Sequence, residues 1–190
     1  MKVVVVVDMQ NDFITGPLGT PEAQAIVPKV CEEIARRAAK DTFILFTKDT
    51  HEENYLETLE GKNLPVKHCI RDTKGHMFDE NVYFAYLDNR EKFHPYNSEI
   101  PPFTTFNIIE KETFGSTVFQ TMLKLYSEEI EEITFMGVCT GICVLSNAIL
   151  AKATLPEVPV NVVADCCACV TPESHKTALE AMKLCQINIM

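Results

Sequence analysis

Phe135-Met136-Gly137-Val138-Cys139-Thr140-Gly141-Ile142-Cys143-Val144-Leu145 reads as a buried strand, a sharp glycine-containing loop and the first turn of a helix. A thiol at that point sits where unpaired backbone N–H groups and the helix dipole favour the thiolate, the reactive form of cysteine. Cys143 is therefore the candidate nucleophile. The plainer reading, a small buried hydrophobe, holds for cysteines without such a setting.

Working outward from this loop, two other polar residues stand directly after apolar β-type runs. Asp8 follows residues 3–7, and Lys111 follows residues 106–109 and Glu110. In an open parallel sheet, ligands collect outside the carboxyl ends of the strands, so these segments would bring an acid, a base and a thiol to one edge.

The remaining elements alternate. The β-branched run 3–7 has the signature of a strand covered on both faces. Residues 43–46, 105–110, 132–137 and 160–164 supply further strands, and 187–190 an edge strand. Helical spacing is read over 22–40, with Pro28 marking a kink or a late start, over 79–87, over 117–126 and over 143–153. A last helix starts at Thr171-Pro172-Glu173-Ser174, the threonine capping and the proline at the first position. Such alternation predicts a three-layer α/β/α fold around a mainly parallel sheet. The stretch 49–103 is the least regular, and long loops of this kind carry function.

The chain of 190 residues is 46% hydrophobic, enough to bury one sizeable core, and one domain over 1–190 is expected. A formal net charge of −10, with 17 basic residues dispersed, argues against nucleic acid or an anionic membrane as partner. No apolar run approaches membrane-spanning length and residues 3–7 lack the flanks of a signal peptide, so a cytoplasmic protein acting on a small molecule is expected. A homo-oligomer is expected as well. The eight cysteines lack paired CxxC spacing and read mostly as reduced core filler.

Asp49-Thr50-His51, with Glu60 and His68 downstream, supplies the oxygen and imidazole ligands that borderline divalent ions accept. Surface-loop histidines are the alternative. His76, His94 and His175 have no comparable context and are not read as ligands.

Three motifs in order, Val-Asp-Met-Gln-Asn-Asp-Phe at 7–13, Glu-Lys at 110–111 and Gly-Val-Cys-Thr-Gly-Ile-Cys-Val at 137–144, resemble the isochorismatase-like cysteine hydrolases, with the nicotinamidases as the nearest branch. The resemblance extends from residue 2 to about residue 183. It implies that Asp8 takes the proton of Cys143 and returns it to departing ammonia, while Lys111 steadies both anions. It further implies a cis peptide at Val138-Cys139 and an oxyanion hole formed by the N–H groups of Cys139 and Cys143. Phe13 matches the aromatic that packs on the substrate ring, with Leu64 and Val138 as further walls. Some relatives build the wall opposite Phe13 with Trp and this chain has none, so Leu64, or Tyr55 or Tyr83, could substitute there.

The resemblance also implies one divalent transition metal, zinc first and manganese or iron as alternatives, on Asp49, His51, His68 and Glu60, with Glu60 the least secure. Gly141 stands where many relatives have Asp, which puts loop support rather than chemistry in question. Gly137 and Gly141 could otherwise be ordinary turn glycines.

The function implied is deamidation of nicotinamide to nicotinate. The alternatives are hydrolysis of another small amide, ureide or carbamoyl compound, or an inactive binding protein on the same fold, against which the complete trio of Asp8, Lys111 and Cys143 counts. Vinyl-ether hydrolysis, which needs no cysteine nucleophile, is disfavoured by Cys143.

Overall fold

A computed structural model describes residues 1–93 and 107–190. The run of valines forms β1 (Lys2–Val7), followed by a four-residue α1 (Asn11–Ile14) and by α2 (Pro21–Arg37). The chain continues through β2 (Thr42–Asp49), a 3₁₀ turn (Tyr55–Glu57), α3 (Leu59–Asn63) and α4 (Glu80–Asn89). It then forms β3 (Ile108–Lys111), α5 (Thr117–Leu125), β4 (Glu132–Val138), a π turn (Thr140–Val144) and α6 (Leu145–Thr154). The last elements are β5 (Val160–Ala168), α7 (Pro172–Leu184) and β6 (Asn188–Ile189).

The strands make one six-stranded sheet in the order β3-β2-β1-β4-β5-β6, and every pairing is parallel. From β1 the chain first builds outward through β2 and β3. It then returns to the other side of β1 for β4, β5 and β6. The order therefore reverses between β1 and β4, and a crevice outside the carboxyl ends of the strands is expected at that switch. The ends of β1, β2, β3 and β4 are the segments that carry Asp8, Asp49, Lys111 and the Cys143 turn.

The valines of β1 and residues Phe43–Phe46 of β2 are buried, as a central sheet strand requires. On one side α2 packs against α4 and against β5. On the other, α6 packs against α5, α7 and β5. The helix starts follow their caps: the Thr20 hydroxyl accepts from the Ala23 N–H, and Ser116 does the same for Phe119. Thr171 and Ser174 exchange bonds at the start of α7, as the sequence indicates.

Several boundaries differ from the sequence reading. Pro28 lies inside α2, which starts at Pro21 and ends at Arg37 without the expected late start. β2 runs three residues past Phe46, because Thr47, Lys48 and Asp49 are paired to β1 and β3 although they are polar. β5 likewise continues to Ala168, past a shift in its pairing with β4. The predicted strand over 105–110 is β3; positions 105 and 106, and with them His94, lie outside the described residues. The stretch 49–93 is less irregular than expected, holding α3, α4 and two 3₁₀ turns. All eight cysteines are free thiols.

Candidate active site

β1 ends and the backbone turns at once at Asp8, whose φ is +48°. Its N–H donates to the Thr47 carbonyl, and the Thr47 hydroxyl donates to Asp8 Oδ1 at 2.7 Å. The other carboxylate oxygen, Oδ2, lies 2.7 Å from Lys111 Nζ. Lys111 closes β3, where it pairs with Asp49 in register. Its ammonium also donates to Asp49 Oδ1 at 3.1 Å and lies 3.6 Å from Cys143 Sγ. Asp8, Lys111 and Cys143 are all buried.

The Cys143 turn depends on β4. Gly137 has φ +122°, and a Cβ there would run into the Val7 carbonyl oxygen of the neighbouring strand, so this glycine is required by the fold. The peptide Val138-Cys139 is cis. The Cys139 carbonyl then accepts from the N–H groups of Ile142 and Val144, which flank the nucleophile candidate. Cys143 lies in a π turn ahead of α6, rather than in the first turn of an α-helix as read from sequence. Such turns concentrate at functional sites. Asn147 holds the turn, its amide donating to the carbonyls of Cys143 and Phe114 and its oxygen accepting from the Ser116 N–H.

The electrostatics correct one expectation. Burial, and then the Asp8 carboxylate, hold the Cys143 thiol well above its ordinary pKa against the pull of Lys111. The resting thiol is therefore protonated, and the dipole argument for a standing thiolate is outweighed by desolvation. Burial also raises Asp8, opposed by Lys111, making it a stronger base than an exposed aspartate. Lys111 is pushed in the opposite sense to what its burial dictates: desolvation lowers it, but the carboxylates of Asp8 and Asp49 raise it well above the ordinary value, so it stays an ammonium.

Beside this trio stand the expected metal residues. The chain after β2 folds back on itself: the His51 N–H donates to the Cys69 carbonyl and the Arg71 N–H to the His51 carbonyl. Cys69, at φ +47°, is held by its own N–H donating to the Asp12 carboxylate. This pairing sets His51 and His68 side by side, ring centroids 4.9 Å apart. Nε2 of His51 is 3.0 Å and Nε2 of His68 3.5 Å from Asp49 Oδ2. Glu60 Oε1 faces the same two nitrogens at 3.7 and 3.9 Å.

These residues fit a divalent cation. Donor atoms of Asp49, His51 and His68 lie within 4.8 Å of one another. Nε2 of His51 is buried and has no hydrogen-bond partner outside this group of carboxylates. His68 Nδ1 is 2.8 Å from the Val66 carbonyl, the second contact that fixes a ligating histidine with its Nε2 lone pair turned to the ion. The set contains hard carboxylate oxygens and borderline imidazole nitrogens and no thiolate, as divalent transition ions accept. Burial works to raise Asp49, but bonds to both histidines and the Lys111 charge hold it below the usual carboxylate range.

The other sequence candidates are placed as follows. The Phe13 ring packs on His68 at 5.5 Å, and Val138 is buried at the end of β4. Leu64 is 38% exposed on the rim of a cleft of about 760 Å³ that is also lined by His51, Glu60, Phe114 and Ile142. Tyr55, fully buried against His51 and His68, lines the same cleft, whereas Tyr83 stacks on Phe78 and packs at a tilt against Tyr86. His76 bonds Thr50 and His175 bonds Thr140; neither joins the Asp49 group. A Cβ on Gly141 would stand 3.3 Å from the Ala178 Cβ, slightly tight, and 3.4 Å from the Cys169 sulfur, an ordinary contact.

Three supporting residues escaped the sequence reading. Gln10, fully buried, donates from Nε2 to the carbonyls of Asp49 and His76 and accepts from the Asp49 N–H. Thr47 and Asn147 hold Asp8 and the Cys143 turn. The one available signal was a glutamine two residues after Asp8, within an otherwise buried segment.

The Isochorismatase domain family matches residues 2–190. Among solved structures, the pyrazinamidase of Pyrococcus horikoshii in complex with zinc is similar at 26% identity and a TM-score of 0.75, covering 100% of this chain and 98% of that one. The pyrazinamidase/nicotinamidase from Streptococcus mutans UA159 aligns at 22% identity and a TM-score of 0.80 over 100% of both chains. The yeast nicotinamidase does so at 20% and 0.74, over 100% of this chain and 99% of that one. None of the curated proteins matches. The match over residues 2–190 shows that this chain belongs to the isochorismatase-domain family of hydrolases.

Proposed function

We propose that the protein is a single-domain cysteine amidohydrolase that converts nicotinamide to nicotinate and ammonia. The observation that carries this reading is the buried Lys111 ammonium, 2.7 Å from the Asp8 carboxylate and 3.6 Å from the Cys143 sulfur. An amide is a poor electrophile, and its hydrolysis needs an activated nucleophile, an oxyanion site and a proton for the leaving nitrogen.

In this reading the neutral Cys143 thiol gives its proton to Asp8 as Sγ attacks the amide carbon. Lys111 balances the anions on either side of it. The N–H groups of Cys139 and Cys143 receive the oxyanion. Asp8 passes the proton to the departing nitrogen, ammonia leaves, and a thioester remains. Asp8 then takes a proton from water, which cleaves the thioester and restores the thiol. The elevated pKa of Asp8 suits both transfers, since a general base works best near the operating pH.

Phe13, Leu64 and Val138 would wall the ring. Asp49, His51, His68 and Glu60 would hold one divalent ion, zinc foremost, with manganese or iron as the other choices. Such an ion supplies a Lewis-acid contact that orients the pyridine nitrogen end of the substrate. Support comes from the zinc complex of the similar Pyrococcus pyrazinamidase. The same reading makes the protein a cytoplasmic homo-oligomer in NAD salvage; the net charge of −10 speaks against nucleic-acid or anionic-membrane partners.

Ammonia release measured across a panel of small amides, ureides and carbamoyl compounds tests the proposal. Turnover of nicotinamide that disappears in Cys143→Ala is the expected result. Turnover confined to ureides or carbamoyl compounds would overturn the substrate assignment and keep the cysteine chemistry.

A further inference from the structure

We propose that Cys139 and Cys169 are a redox modification site, closing reversibly into a disulfide that locks the turn carrying Cys143. Their sulfurs lie 3.1 Å apart, within about 1 Å of the ~2.05 Å bond length of a disulfide. The sheet explains the approach. Val138 and Ala168 are register partners on β4 and β5, so residues 139 and 169 stand one step beyond a paired position. Neighbouring strands run about 4.8 Å apart, inside the span of α-carbons that a disulfide bridges.

The two sulfurs of this pair are also unlike. Burial works to raise Cys169, but bonds from Ser174 and from the Cys139 thiol more than offset it, and its pKa falls below the ordinary value. Cys139 is pushed up to about 12 by burial. Of the two, Cys169 is therefore the easier to ionise and Cys139 the resolving thiol, at a point where Cys169 is 5% exposed. Cys143 is kept protonated by burial and by the Asp8 carboxylate and should be oxidised more slowly.

The oxidant is a peroxide. The Cys169 thiolate attacks one peroxide oxygen, the O–O bond breaks, and hydroxide leaves to become water, giving a sulfenic acid. The Cys139 sulfur then gives up its proton and displaces hydroxide from the Cys169 sulfur. One S–S bond forms, one S–O bond breaks and a second water departs. The pair loses two electrons and two protons, which the peroxide gains. A dithiol reverses the step by exchange, becoming a cyclic disulfide itself.

The link would tie the turn to the entry of α7. The Cys139 carbonyl accepts from the N–H groups of Ile142 and Val144, on either side of Cys143, so fixing residue 139 fixes the backbone that presents the nucleophile. Oxidation should therefore slow alkylation of Cys143 by iodoacetamide several-fold.

The test treats the full chain with hydrogen peroxide at increasing ratios, blocks remaining thiols, and maps linked peptides by mass spectrometry. Cys143 alkylation is followed in parallel. Expected are a Cys139–Cys169 peptide at doses that leave Cys143 unoxidised, slower alkylation of Cys143, and recovery of both with dithiothreitol. Cys169→Ser and Cys169→Ala, with the wild-type alkylation rate when reduced, should show neither the link nor the slowing. Absence of the linked peptide at doses that oxidise Cys143 overturns the site. A linked peptide with unchanged alkylation, or equal slowing in the Cys169 variants, overturns the lock. Neither readout depends on substrate turnover.

Discussion

Lys111 donates to Asp49 across 3.1 Å, and the other oxygen of the same carboxylate faces His51 and His68 at 3.0 and 3.5 Å. The lysine beside the thiol and the histidines of the metal group therefore share one carboxylate, held by the backbone clamp of Gln10. Asp49 is thus more than a candidate ligand.

Asp49→Asn should show this double role. The amide keeps the shape but removes the charge that both neighbours use. On the proposed reaction, metal occupancy should drop and kcat/KM should fall roughly 100-fold or more. Alkylation of Cys143 in the metal-free variant should become faster than in metal-free wild type, because an anion that helps keep the thiol protonated has gone. Slower or unchanged alkylation would mean that Asp49 acts on the metal side only.

Much of this arrangement was open to reading from sequence, and the parts that were not share a cause. Apolar runs reveal β1 and the core of β4, and the motifs reveal Asp8, Lys111 and Cys143, because each sits at the end of such a run. The pairing of Asp49 with Lys111 depends on the register between β2 and β3. Thr47, Lys48 and Asp49 carry no apolar signal, so the sequence reading ends β2 at Phe46. Gln10 is similarly silent, since its partners are backbone groups 39 and 66 residues away. The helix start in the sequence singles out Cys143 as a candidate, but it carries no sign of the π turn, the desolvation and the neighbouring carboxylates that act on that thiol.

Cys143→Ala should retain the fold and lose turnover by at least ~10⁴-fold, the scale seen when one member of a tightly coupled triad is removed. Cys143→Ser should be nearly as inactive. A hydroxyl is much harder to ionise than a thiol, and this site gives its nucleophile no standing negative charge even as sulfur. Cys166→Ala is the control, its sulfur lying outside the site, and should leave kcat/KM unchanged. Thermal melting separates loss of chemistry from loss of fold.

Glu33 supplies a pH-dependent contribution to stability away from the site. It is buried on α2, and Arg36 and Arg37 both donate to its carboxylate. Burial pushes its pKa up, but those two partners pull it below the ordinary carboxylate value. A group depressed in the folded state stabilises above its unfolded pKa and loses that contribution as pH falls through the folded one. Glu33→Gln should therefore lower Tm at pH 7, by roughly 2–4 °C for each ~1 kcal/mol removed from a chain of this size. The gap between variant and wild type should narrow as the pH is lowered through and below the ordinary glutamate range. A gap that widens on acidification would contradict the sign.

The metal group can be tested apart from the nucleophile. Its donor atoms converge on a point beside Lys111, with Nε2 of His51 buried and otherwise without a hydrogen-bond partner. Protein purified without chelators should hold about one equivalent of a divalent transition metal by elemental analysis, and the ligand set does not by itself choose among zinc, manganese and iron. Removing the ion with a chelator should raise KM for nicotinamide while Cys143 still reacts with iodoacetamide, since the sulfur's nearest cation is Lys111 at 3.6 Å. His51→Ala should reproduce both effects and lower the bound metal. Glu60→Gln should do so more weakly, because Glu60 stands farther from the histidine nitrogens than Asp49 does and its side chain is 20% exposed. Protein that holds no stoichiometric metal and does not respond to added Zn²⁺, Mn²⁺ or Fe²⁺ would remove the ion from the proposed reaction. Asp49 would then serve Lys111 alone, and ureide or carbamoyl substrates would take precedence over nicotinamide.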